Sequence, residues 1–146
     1  MTQDVVRMEP LTVSECWDRL REHRVGRVGF DRGRGPRIHP VSYAVRGGDL
    51  FVTTSRDSEL GMFAALFADG GTVSFELDEI ADGAVEQWSV LVGARVGGSE
   101  PAPGTPPVPA AGAPRDAVPP PDGHDELVLR LVPVEVTGRR RVLERR

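Results

Sequence analysis

The chain has 146 residues, 39% hydrophobic and 27% charged, which is material for a single domain over residues 1–146 with one modest core. A net charge of −4 argues against nucleic acid as a partner, and no apolar run approaches the roughly 18 residues that cross a bilayer. All 18 basic residues are arginine, so no lysine is present to form a Schiff base, clamp a phosphate or act as a general base.

The opening MTQDVVRMEP carries an early acid and no apolar h-region; it does not read as a secretory signal, and a cytoplasmic protein is expected. Thr12-Val13-Ser14-Glu15 matches a capping box. Val13, Cys16, Trp17 and Leu20 then fall on one helical face, predicting a helix from Val13 to Glu22 whose apolar stripe needs a sheet to cover. Cys16 is the single cysteine, which excludes an intrachain disulfide and a cysteine-based zinc site; on that face it reads as a small buried hydrophobe.

Short β-rich segments follow. Val25 to Phe30 is the first, and the turn Asp31 to Gly35 leads into a second from Arg37 to Val45. Pro40 inside that second segment implies a sheet edge or a bulge, because proline cannot donate to a ladder. Arg46-Gly47-Gly48-Asp49 is a hairpin turn into a third strand, Leu50 to Thr54. From Ser58 to Ala68 the period changes to that of a helix, capped by Ser58 or Asp57 and ended by Asp69-Gly70-Gly71. Thr72 to Glu79 and Gln87 to Val96 are strands, the latter with Trp88, Val90, Val92 and Ala94 on one face.

Gly97 to Gly123 differs in kind: nine of its positions are proline and the rest is mostly Ala, Gly and Asp. Such a stretch buries too little apolar surface to offset its ordering, so it reads as an exposed mobile loop. A proline-motif ligand is the sharper reading, but PGTPPVPA lacks flanking basic residues. Glu126 to Val136 is the last strand, and the arginine-rich end after it reads as a solvated tail. Six strands joined mostly by hairpins predict a mainly β (α+β) fold, a six-stranded antiparallel barrel with two flanking helices, since closure removes exposed sheet edges.

Candidate chemistry is sparse. His23, His39 and His124 are scattered over three kinds of element and read as surface or satisfied core residues, not as a metal site. His39 precedes Pro40 in a strand, where it is the one histidine positioned to meet a ligand. There is no nucleophile elbow and no Walker loop, and the glycines at 26, 29, 33 and 35 span a strand and a turn with no helix directly after them, so a Rossmann reading is rejected. The best anion candidate is Thr53-Thr54-Ser55-Arg56-Asp57-Ser58, which sets hydroxyls and a guanidinium between a strand end and a helix start, where free amides point. The alternative reading of the same six residues is a helix-capping loop with a solvated arginine.

The segments ECW, GRVGF, HPVSYAV, TTSRDSEL, VSFELDE, WSVLVGAR and VTGRR, in that order over residues 11–96 and 126–141, resemble the pyridoxamine 5'-phosphate oxidase-like proteins. The resemblance implies a split β-barrel, a homodimer, and FMN held between the protomers with a small-molecule substrate. It implies phosphate contacts from the Thr53–Ser58 corner, with Thr53, Thr54, Ser55, Arg56 and Ser58 as ligands. It further implies backbone of Val41, Ser42 and Tyr43 beside the ring, Trp88 near the flavin or in the barrel wall, and Arg139 at the cofactor or the dimer seam. The chain departs from the family at two places: Thr53 stands where an arginine is usual, and Glu59 where a lysine is usual. Arg56 is the residue that would supply the lost charge. A deazaflavin-dependent reductase and a non-catalytic dimer with a degenerate cofactor site are the alternatives.

Overall fold

A computed structural model describes residues 4–102 and 126–145. Its elements are β1 (Asp4–Pro10), α1 (Val13–Glu22), β2 (Val25–Asp31), β3 (Pro36–Arg46), β4 (Asp49–Ser55), α2 (Glu59–Leu66), β5 (Thr72–Glu79), β6 (Glu86–Pro101) and β7 (Glu126–Arg145). All pairings are antiparallel. The hydrogen-bonded order β7-β4-β3-β2-β5-β6 returns to β7, so six strands close into the predicted split barrel.

Alternating residues of these six strands point inward, as a closed sheet with one apolar face requires. Val28, Val52, Phe75, Val90, Val92, Leu129 and Leu131 are all fully buried. No buried residue among those described is polar or charged. α2 covers one end of the barrel with Leu60, Phe63 and Ala64, and Phe63 lies 5.4 Å from Phe30. α1 covers the other end with Cys16 and Leu20. The capping box of α1 forms as predicted: Glu15 N donates to Thr12 Oγ1 at 3.1 Å and Thr12 N donates to Glu15 Oε1 at 3.0 Å. Pro40 pairs with Arg27 of β2, and the β3–β4 ladder begins only at Ser42, so Pro40 sits at the edge position its missing N–H demands.

Three sequence expectations are corrected. β7 runs 20 residues and does not stop at Val136. The arginine-rich end is therefore the second half of a strand, and it pairs with β1, for which no strand was expected. The pairing spans nearly the whole chain, and β1 is mostly exposed, so neither alternation nor local turn chemistry announces it. Ion pairs fasten it: Arg140 reaches Glu9 at 3.0 Å and Glu15 at 3.5 Å, and Arg7 reaches Glu144 at 3.2 Å. Third, residues Gly97 to Pro101 continue β6, because the start of β7 offers them a ladder. The remainder of the expected mobile loop, with His124, lies outside the described residues.

β7 tolerates Pro133 because the ladder slips there. Gly93 pairs with Glu135 and Ala94 with Pro133, leaving Val134 as an unpaired bulge that is 69% exposed. A second shift leaves Gly97 and Gly98 between the pairs Val96↔Leu131 and Ser99↔Leu129. These two irregularities bend β7 so that its first half joins β4 and its second half joins β1.

Gly26 lets the barrel close tightly. A Cβ there would stand 2.3 Å from Phe75 Cζ, on a ring that is fully buried and in contact with Tyr43 at 4.8 Å. Gly26→Ala is expected to cost about 1–3 kcal/mol by overpacking. Gly29→Ala, where the nearest atom would be 3.8 Å away, should stay within about 0.5 kcal/mol. Chemical denaturation of the two variants checks the contrast.

Candidate functional site

The Thr53–Ser58 corner lies where β4 ends and α2 begins. Its inward hydroxyls are committed locally. Ser58 is the N-cap: its Oγ donates to the Ser55 carbonyl at 2.7 Å and accepts from Gly61 N at 3.0 Å. A serine hydroxyl has one proton, so the 2.8 Å contact between Thr54 Oγ1 and Ser58 Oγ is a donation from Thr54. The first turn of α2 lies directly on this loop, since a Cβ at Gly61 would stand 2.2 Å from the Ser55 carbonyl oxygen. Capping chemistry therefore shapes the corner, and Ser58 is saturated by it.

The outward face is different. Ser42 pairs with Thr53 across β3 and β4, and Ser55 lies two residues further on the same face. The hydroxyls of Ser42 and Thr53 have no partner among the described residues, and the amides of Glu59 and Leu60 have no acceptor within α2. Arg56 follows directly in the turn and is exposed. Glu59 is not left facing this space alone: Arg37 from β3 holds it, Nε to Oε2 at 3.2 Å. Arg37 is the residue that sequence reasoning missed. It lies 22 positions from Glu59 in the chain, and only the barrel brings a guanidinium to the start of α2. The corner thus presents hydroxyls, amides and Arg56, beside the Arg37–Glu59 ion pair, a donor set that fits a phosphate or other oxyanion.

The other predicted residues fall into two further places. Val41 and Tyr43 point into the core at 6% exposure each. Tyr43 Oη donates to the Leu20 carbonyl at 2.6 Å, tying β3 to α1, and burial pushes its phenol up to about 12. Trp88 is 4% exposed and is a wall residue: Arg19 stacks over its ring at 4.8 Å and His23 meets it edge-on at 5.2 Å. His23 Nδ1 donates to the Arg19 carbonyl at 2.8 Å, and His39 packs on Phe30 at 5.1 Å. Arg139 is exposed, pairs with Ser89 and Pro10, and belongs with Trp88 to the α1 end of the barrel. Leu127 pairs with Thr54 at the α2 end. Leu127 and Arg139 lie at opposite ends of the β6–β7 ladder, opposite Pro101 and Ser89 respectively.

A cavity of about 580 Å³ opens on the outer face of β5, β6 and β7 and is bordered by the end of β1. Glu76, Leu91, Thr137, Arg139 and Met8 line it. Glu76 and Asp78 share one guanidinium, Arg27 Nη1, at 3.1 and 3.0 Å. Burial first, and then Asp78 alongside, push the Glu76 carboxyl up to about 7 against the pull of Arg27. No sequence signal pointed to Glu76, which looked like one solvent-facing member of an alternating strand.

An antiparallel split barrel with an oxyanion-type corner at one end defines the class of protein. The chain belongs to the pyridoxamine 5'-phosphate oxidase family, whose sequence profile matches residues 12–140. No curated protein sequence matches it. Among solved structures it is similar to a Corynebacterium glutamicum protein assigned as a pyridoxamine 5'-phosphate oxidase, at 25% identity and a TM-score of 0.59, over 94% of this chain and 95% of that one. A FAD-binding protein from Mesorhizobium loti shares the fold at 21% identity and a TM-score of 0.64, over 94% and 98% of the two chains. An F420 reductase does so at 17% identity and a TM-score of 0.58, over 82% and 93%.

Two measurements check this geometry. Ser58→Ala should cost about 1 kcal/mol, the usual loss for a serine cap, read from the denaturation midpoint. Glu76 binds its proton more tightly in the folded chain than in the unfolded one, where the value is near 4.3. Folding stability is therefore expected to fall as pH rises from about 4.5 to about 7 and to level off above that. Glu76→Gln should flatten the decline in Tm; an unchanged slope would assign it to another group.

Proposed function

We propose that this chain is a homodimeric flavin-binding protein of the oxidoreductase type, with FMN as cofactor and a small molecule as substrate. What carries the reading is the division of the expected ligand residues between opposite ends of the barrel. Thr53, Ser55 and Arg56 lie where β4 runs into α2, and Arg139 lies beside Ser89 and Pro10 towards the α1 end. A site using both groups needs two copies, and family membership gives the barrel its expected cofactor.

In this reading the flavin, when bound, supplies hydride or electron transfer. The protein's own part is to bind and orient. Arg56 and the hydroxyls of Thr53 and Ser55 hold the phosphate, and Thr54 and Ser58 act through the loop they brace. Arg37 neutralises Glu59, which stands where the family usually has a lysine. The backbone of Val41, Ser42 and Tyr43 flanks the ring, and Trp88 stiffens the wall behind it.

A second reading, a dimer with a degenerate cofactor site, is favoured by one observation: the Ser58 hydroxyl is spent on capping and neither usual cation place holds a cation. A deazaflavin coenzyme is the third, supported by the F420 reductase that shares the fold.

Titration of the purified chain with FMN, FAD and a deazaflavin, followed by fluorescence, separates the three. Saturable FMN binding with a dimeric mass by light scattering is expected. Arg56→Ala should raise the FMN Kd roughly 10–100-fold, the worth of a charge-assisted hydrogen bond of about 1.5–3 kcal/mol. Failure to bind any of the three cofactors supports the degenerate site.

A further inference from the structure

The turn between β5 and β6 carries a reactive pair of residues that the flavin reading does not use. The chain has no asparagine, and three of its aspartates precede glycine: Asp69, Asp82 and Asp122. Asp122 lies outside the described residues. An aspartate before glycine is open to one intramolecular reaction, attack of the next residue's amide nitrogen on the side-chain carboxyl carbon. Glycine has no Cβ to crowd the ring that forms, and its backbone reaches conformations closed to other residues. Attack within one chain needs no collision, so its rate depends on whether the fold lets the two atoms meet.

The two described pairs differ in that respect. Gly70 N donates to the Val96 carbonyl at 3.2 Å, and Gly71 N beside it donates to the Phe67 carbonyl at 3.2 Å. Gly71 is also packed, since a Cβ there would stand 2.5 Å from Phe67 Cβ. The Asp69–Gly70 peptide is thus tied to both β6 and α2. Asp82 and Gly83 are instead the central residues of an exposed turn, closed by Ala84 N donating to the Ala81 carbonyl at 3.1 Å. Gly83 has a φ of 76°, as the third position of a type II turn requires. Its own amide has no acceptor among the described residues. A cavity of about 260 Å³ opens against the turn, lined by Asp82, Gly83, Val85 and Arg141 among others. The side chain and the amide have room to turn towards one another, and solvent reaches both.

We propose that Asp82 is a site of self-modification, where the main chain isomerises to isoaspartate through a succinimide. The Gly83 nitrogen bonds to Asp82 Cγ and gives up its proton, and one carboxyl oxygen leaves as water. Water then opens the five-membered imide at either carbonyl. Opening at Cγ restores aspartate. Opening at the main-chain carbonyl leaves Gly83 joined through the side chain, as isoaspartate. One water is lost and one regained, with no cofactor and no change of oxidation state.

The consequence is local. Isoaspartate adds a carbon to the main chain between Ala81 and Ala84, so the bond that closes the turn is lost. The Ala81 carbonyl also accepts from Gln87 Nε2 at 2.9 Å, and Gln87 Oε1 accepts from Arg141 Nη1 at 3.4 Å. Leu143 N donates to the Val85 carbonyl at 3.0 Å. The turn therefore braces the tail of β7, and isomerisation loosens both.

The test incubates the full chain for several weeks in heavy-oxygen water at mildly acidic pH. Each passage through the imide leaves a heavy oxygen in the residue. Cleavage after glutamate in ordinary water separates peptide 80–86, which holds Asp82, from peptide 60–76, which holds Asp69. Mass spectrometry with electron-transfer fragmentation then reads both the label and the isoaspartate. In the folded chain the label at Asp82 is expected to exceed that at Asp69 by about tenfold or more, and in urea the two should converge. Hydrogen exchange at Ala84 and Leu143 should quicken several-fold in the isomerised fraction, and the same incubation of Asp82→Ser should leave both amides unchanged. Equal labelling of the two aspartates in the folded chain, or no label at Asp82, overturns the proposal. So does a ratio that urea leaves unchanged, which would assign the difference to flanking sequence and not to the turn.

Discussion

The barrel depends on β7 serving three neighbours. Its first half hydrogen-bonds β4, its second half hydrogen-bonds β1, and β6 runs along both. Without that shared strand β4 and β6 would end as open edges, with their backbone groups exposed to water or to another chain. A flat 20-residue strand could not follow this path. The bulge at Val134, beside a proline that has no N–H to lose, and the offset at Gly97 and Gly98 supply the bend. The same bend places the two helices at opposite ends and so determines which residues can share a site.

With no lysine in the chain, its basic side chains are planar forks, and several of them tie neighbouring elements together across the ladder. Arg27 bridges Glu76 and Asp78 on β5, Arg130 reaches Asp49 at 2.7 Å, and Arg140 ties β7 to β1 and α1. These pairs are partly exposed, and each contributes at most about 1 kcal/mol. Their greater effect is on register and on local charge. Burial, with Asp78 alongside, raises the proton affinity of Glu76 against the pull of Arg27.

The corner before α2 illustrates two roles competing for the same atoms. A helix start needs its amides satisfied, and Ser58 with Thr54 does this from inside the barrel. An oxyanion needs donors from outside, and the strand's alternation turns Thr53 and Ser55 that way. The capping reading of the six residues holds on the inner face of the turn, and the outer face keeps the hydroxyls on which the anion-binding reading rests. Loss of the family's two usual cations does not leave the corner acidic, because Arg37 crosses from β3 to Glu59.

Local pattern was enough for the six barrel strands, both helices, the capping box at Thr12 and the edge position of Pro40, because each rests on a period of two or 3.6 residues or on a contact within four residues, but it did not show that Val13, at the start of the α1 stripe, stays exposed. The resemblance to the family came from the same short segments. Pairings between distant residues are invisible to such patterns. β1 joined to the tail of β7, Arg37 brought to Glu59, Trp88 sealed under Arg19 and His23, and Glu76 set beside Asp78 with one shared cation all depend on how the ladder registers once it closes. Register is decided by the whole apolar face at once, and so only the tertiary structure settled where charge collects and which hydroxyls turn outward.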